Sequence, residues 1–96
     1  MNIYVLPATS DFPLGDLYVT AAAHRELDQT DIWKALDRHG QRDWGDVSPD
    51  DRDLNDRSLA NGSRLFSVYH DRTGVKFWII TEADRSATTV LLPDDY

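Results

Sequence analysis

Hydrophobic and polar positions alternate with a period of two over the last third of the chain. Three runs carry the pattern: Leu65–His70, Val75–Thr81 and Thr88–Pro93. Alternation at this period, rich in β-branched and aromatic residues and broken by short polar connections, predicts three strands of an antiparallel meander. In the middle run Val75, Phe77 and Ile79 share one face, and Trp78 and Ile80 the other. In the first, Phe66 and Val68 oppose Leu65 and Tyr69. A sheet with one wet face shows apolar residues on one side only. Here both sides are apolar. One face is expected to take the helices, and the other to be covered by the N-terminal segment or by another chain.

The first two-thirds alternate less and cap more. Ile3–Leu6 reads as a short strand, Pro7–Pro13 as a loop and Asp16–Val19 as a strand. Thr20 is placed to cap a short helix over Ala21–Leu27. Thr30 is placed to cap a second over Asp31–His39, with Gly40 as its left-handed stop. Gln41–Asp46 reads as a loop. A third helix starts with Ser48 as cap, Pro49 in the first turn and acids behind them, and ends at Asn61-Gly62. Its only large apolar residues are Leu54 and Leu59, so it is expected on the surface with much of its girth in water. The pattern therefore predicts one α+β domain over residues 1–96. Two to three short helices pack on a C-terminal three-stranded antiparallel meander, with room for an added N-terminal strand.

Composition narrows the function classes. The 96 residues support one core. No apolar run reaches the roughly 18 residues of a membrane span, and the N-terminus lacks the basic and long apolar regions of a signal peptide. Cysteine is absent, which excludes disulfides and thiolate zinc sites. A cytoplasmic setting, no membrane and no cofactor are the expectations. The net charge is −7, and 15 of the 17 acids are Asp. Such acidity argues against direct nucleic-acid binding, which needs Lys and Arg at the phosphates. Genome composition or a salty habitat explains it as readily as a functional face does.

Three places carry candidate chemistry. Asp43–Arg57 holds Asp43, Asp46, Asp50, Asp51, Asp53 and Asp56 against Arg52 and Arg57. Asp50, Asp53 and Asp56 recur every third residue, which spaces carboxylates by roughly 4.5 Å along a helix. Such a row can imitate a phosphate strand and steer a basic partner; helix capping and solvation are the plainer explanation. Trp44 is either an apolar anchor for a partner or a lid folded onto the core. The Glu82–Ala87 connection presents Glu82, Asp84 and Arg85, either to a partner or to its own backbone. His24, His39 and His70 are scattered, and no hydrolase, nucleotide or metal motif accompanies them.

The run Phe77–Tyr96 resembles the C-terminal signature of a family of short bacterial proteins carried on plasmids and other mobile elements, WIITEADRSxTTxLLPxxY. Asp43-Trp44-Gly45-Asp46, Asn55, Gly62-Ser63-Arg64 and Ser67-Val68-Tyr69 resemble further elements of that family. The resemblance spans about residues 13–96. It implies a mobile-element setting and assigns no catalytic residue. By analogy of genomic company, it points to an inhibitor of host defence of the anti-restriction or anti-CRISPR kind.

The leading expectation is thus an acidic, non-enzymatic inhibitor that binds a nucleic-acid-handling defence complex by charge mimicry. Its partner-binding residues would be Asp43, Trp44, Asp46, Asp50, Asp53, Asp56, Glu82, Asp84 and Arg85. Two alternatives stay open. One is an interaction module working through the second sheet face, as a homodimer or a toxin–antitoxin component. The other is a small enzyme pairing the Glu82–Arg85 loop with a histidine.

Overall fold

A computed structural model describes residues 10–96. The strand expected at Ile3–Leu6, and the start of the loop expected after it, lie outside them. The elements run β1 (Asp16–Val19), α1 (Ala21–Glu26), α2 (Gln29–Gly40), α3 (Pro49–Asn61), β2 (Leu65–His70), β3 (Lys76–Thr81) and β4 (Ala87–Leu91), followed by a 3₁₀ turn at Pro93–Asp95. This is the expected α+β fold. The closing strands form the meander: Leu65 pairs with Thr81 and His70 with Lys76, while Trp78 pairs with Leu91 and Thr81 with Thr88.

The added strand is β1, and it pairs in parallel with β4, from Asp16 against Ala87 to Val19 against Val90. The sheet is therefore mixed, in the order β1-β4-β3-β2. All three helices intervene between the partners. The chain leaves β1 at Thr20, whose hydroxyl accepts from the Ala23 N–H and caps α1.

α2 starts earlier than its caps suggest. Asp28, not Thr30, is the cap, and its carboxylate accepts from the Thr30 N–H. The helix also runs through Gly40, and the left-handed residue beyond it is Arg42, at φ 65°. Gly40 is there for closeness: a Cβ would sit 3.0 Å from the Ser10 hydroxyl. α3 begins and ends as its local signals predict, with Ser48 accepting from the Asp51 N–H and Gly62 in the left-handed region at φ 76°.

One sheet face and the helices close the main core. Tyr69, Phe77, Ile79 and Val90 meet Ala23, Leu27, Ile32, Ala35 and Leu36. A second cluster of Phe12, Leu14, Trp44 and Leu65 extends it towards α3. Burying a side chain of this size is worth roughly 1.5–3 kcal/mol, so these clusters supply the main driving force.

α3 docks differently. Its buried residues are polar, Asn55 and Ser58, while Leu54 is 53% exposed. The Asn55 side chain donates to the Phe66 carbonyl at 2.7 Å and accepts from the Phe66 N–H at 3.0 Å. It completes, as a strand would, the outer edge of β2. Two residues on, the loop before α3 does the same with backbone. The Val68 N–H donates to the Trp44 carbonyl, and the Asp46 N–H to the Val68 carbonyl. Gly45 makes this approach possible, since a Cβ there would collide with the Val68 carbonyl oxygen.

Gly45 and Gly62 both sit at positive φ, but only Gly45 is crowded; nothing lies within 4 Å of a Cβ built on Gly62. Gly62→Ala is expected to cost about 1 kcal/mol, the left-handed penalty alone. Gly45→Ala is expected to cost at least about 2 kcal/mol more, because the β2 edge must open. Urea unfolding of the two variants checks this; equal losses would show that the edge does not depend on Gly45.

Candidate interaction surface

The acidic segment divides by what each carboxylate holds. Asp43 takes two bonds from the Arg38 guanidinium, at 2.7 and 3.2 Å. That contact holds its carboxyl below the usual range and raises Arg38. Its carbonyl accepts from the buried Tyr69 hydroxyl at 2.6 Å, and Arg38 lies 4.8 Å over the Tyr69 ring. Asp46 meets His70 at 2.8 Å. Asp56 accepts from the Trp44 indole N–H at 3.0 Å. Trp44 itself is 3% exposed; its ring is tilted against Phe12 and meets His39 edge-on. Of its two readings the burial matches the lid: Trp44 is packed into the second core cluster.

Asp50, Asp51 and Asp53 are different. All are exposed, and none has a cation within 4.0 Å among the described residues. Their direction follows from Asn55. At 100° per residue, Asp53 lies about 200° from Asn55 and points to water, whereas Asp51 shares Asn55's side. The expected row of Asp50, Asp53 and Asp56 therefore winds around α3 instead of forming one line, and Trp44 occupies its last member.

The β3–β4 connection is turned inward. Arg85, at φ 62°, donates to the carbonyls of Ser63 at 2.7 Å, Ser58 at 3.0 Å, Glu82 at 3.1 Å and Ala83 at 3.2 Å. It thereby caps the C-terminal end of α3 and ties its own turn. Asp84 accepts from the Ser86 N–H, and hydrogen bonding from the Ser86 side chain, then from its backbone, lowers the Asp84 carboxyl. Glu82 is exposed; its backbone closes the turn with Ala87 and Arg85. Arg85 is thus spent on backbone carbonyls, while Glu82 and Asp84 stay exposed.

The second sheet face, marked by Trp78 and Ile80, gathers Leu54, Arg64 and Tyr96, which alternation did not place there. A groove of about 480 Å³ runs between α3 and this face, lined by Leu54, Phe66, Trp78, Ile80, Arg64 and Tyr96, with Asp51 on its rim. Phe66 and Trp78 meet edge-on at 5.0 Å, and Trp78 and Tyr96 at 5.8 Å. Tyr96 is carried back by the 3₁₀ turn, which Asp95 fixes by accepting from Thr20 and the Leu92 N–H. Arg64 donates to the Tyr96 hydroxyl at 2.7 Å and lies over its ring. Alternation marked Trp78 and Ile80 as one face; no local signal placed Arg64 against a residue 32 positions away.

The histidines do not converge on this groove. His39 is fully buried, between Ser67 at 2.6 Å and Thr81 at 2.9 Å. Thr81 meets Thr88 at 2.8 Å, and Thr88 donates to the Leu14 carbonyl at 2.7 Å. Each hydroxyl has one hydrogen. Thr88 spends its own on Leu14, so Thr81 donates to Thr88. Thr81 must then accept from Nε2–H of His39, and bare Nδ1 accepts from Ser67. Burial, helped by the Arg85 charge, pushes the imidazole down to about 3, so it stays neutral.

Among the described residues, no cluster of three or more His, Cys, Asp or Glu side chains is placed to hold a metal ion, and no helix is long and apolar enough to cross a membrane. No protein-family model, curated protein or solved structure matches the chain.

The buried imidazole predicts acid sensitivity. The unfolded chain takes up its proton near pH 6.5, whereas the folded chain resists until about 3. The unfolded state binds more protons across that window, so stability falls as the pH drops, with a slope of up to about 1.4 kcal/mol per pH unit. His39→Gln, which can still donate to Thr81 and accept from Ser67, is expected to lose this slope. Denaturant titrations from pH 7 to 5 check it; parallel curves for the two proteins would rule the His39 origin out.

Proposed function

We propose that this chain is a non-enzymatic acidic inhibitor that binds a host defence complex of the restriction or CRISPR type, presenting α3 to a basic nucleic-acid-binding groove. The observation that carries the proposal is the division of acids around α3. Asp43, Asp46 and Asp56 are engaged inside the molecule, while Asp50, Asp51 and Asp53 project without a cation. Unneutralised carboxylates on one helix create the local field that draws a basic surface and makes its capture salt-dependent. The resemblance to mobile-element proteins supplies the setting. The working residues differ from the full acidic segment: Trp44 is not the anchor, and Arg85 serves the fold.

A second reading has its own support. The groove beside Trp78 has a large apolar share in its lining, Phe66, Trp78 and Ile80 among it, and Leu54 and Tyr96, which also line it, stand 53% and 71% exposed. Patches of this kind mark interaction sites. An interaction module, dimeric or paired with another chain, would use this face.

The test is a charge change at Asp50 and Asp53, since Asp56 also holds Trp44. The partner is first captured from the native host on the full chain and identified by mass spectrometry. Its dissociation constant is then measured against salt. D50K/D53K is expected to weaken binding at least tenfold and to flatten the salt dependence, with D50N/D53N between the two. Unaltered affinity in the folded double variant would discard charge mimicry. Light scattering separates the second reading, which calls for a stable dimer or a partner insensitive to both substitutions.

A further inference from the structure

We propose that the groove between α3 and the second sheet face is a docking slot for a basic amphipathic helix of a partner protein. This rests on the reading of α3 as the working surface, and it names the partner element. The groove has a volume of about 480 Å³. Phe66, Trp78 and Ile80 form its floor and Leu54 and Tyr96 its borders.

Two features restrict the occupant. The first is backbone. An extended peptide would be recognised by adding to a sheet edge, but the β2 edge next to the groove is spent on Asn55 and on Trp44–Asp46. With no free edge beside the groove, recognition there falls to side chains, which is how a helix lays its i, i+3 or i+4, and i+7 residues into a slot. The second is charge. Of the α3 acids, Asp51 lines the groove, with no cation within 4.0 Å of it among the described residues; the cation in the lining, Arg64, is turned onto Tyr96, and the chain as a whole carries −7. The flank of the occupant that meets α3 must therefore be cationic. A second copy of this chain, at net charge −7, fits poorly.

The probe is a synthetic 18-residue Leu/Lys peptide with helical amphipathic spacing, set against a scrambled peptide of the same composition. Both are titrated into the isotope-labelled full chain and followed by NMR. The amphipathic peptide is expected to shift the Trp78 indole and the Leu54 and Tyr96 amides and to bind at least tenfold tighter than the scramble. Leu54→Ser, at an exposed position, is expected to bring the two peptides within twofold of each other. If both peptides bind alike and shift only the Asp50–Asp53 turn, the slot is overturned and the acidic-helix reading stands. If neither perturbs α3, both fall. Groove signals that broaden with concentration before any peptide is added, together with a dimer mass, would make a second copy the occupant and overturn the proposal.

Discussion

The outer edge of β2 is closed by groups that are not a strand, and the placement of the acidic helix follows from that closure. An unpaired buried N–H or C=O costs on the order of 1–3 kcal/mol. Asn55 satisfies one of each on Phe66, and the Trp44–Asp46 backbone satisfies one of each on Val68. α3 has almost no apolar face with which to dock, so directional bonds do what burial does for α1 and α2. Directional bonds fix rotation as well as position. With Asn55 facing the sheet, Asp53 must face water and Asp51 must face the groove.

The same economy explains the segment Asp43–Asp46. Asp43 ties α2 through Arg38 and accepts from Tyr69 through its carbonyl; Trp44 lids the second core cluster; Gly45 lets the loop touch β2; Asp46 meets His70. Four consecutive residues therefore each make a contact of their own with the fold, most of them to β2. Their density of charge and aromatic character resembles a binding motif because the forces that hold a loop to a sheet are those that hold a partner. Exposure distinguishes the two cases, and exposure is not written in residue type.

What was legible in the sequence was local. The period-two runs marked the meander, and Ser48, Pro49 and Gly62 marked both ends of α3. The parallel pairing of β1 with β4 was not legible, because it joins residues some seventy positions apart and parallel pairing leaves no turn signal. Gly40 misled for a physical reason: glycine serves left-handed stops and tight packing alike, and here Ser10 needs the room. At the candidate site, Asp50 and Asp53 could be seen as solvent-facing from helix geometry. The burial of Trp44, the inward turn of Arg85 and the return of Tyr96 onto Trp78 depend on tertiary contacts between distant segments.

The row of hydroxyls through His39 has a direction. Every hydrogen points the same way, from Ser67 through the imidazole, Thr81 and Thr88 to the Leu14 carbonyl. Its positions are therefore not equivalent to evolution. Losing the Ser67 hydroxyl would strand a ring acceptor at the head of the file, while losing that of Thr81 would strand a ring donor and a hydroxyl acceptor at once. Mutational drift should accumulate first at the head of this relay and last at its middle, giving the protein interior a polarity of tolerance that no inventory of buried residues would disclose.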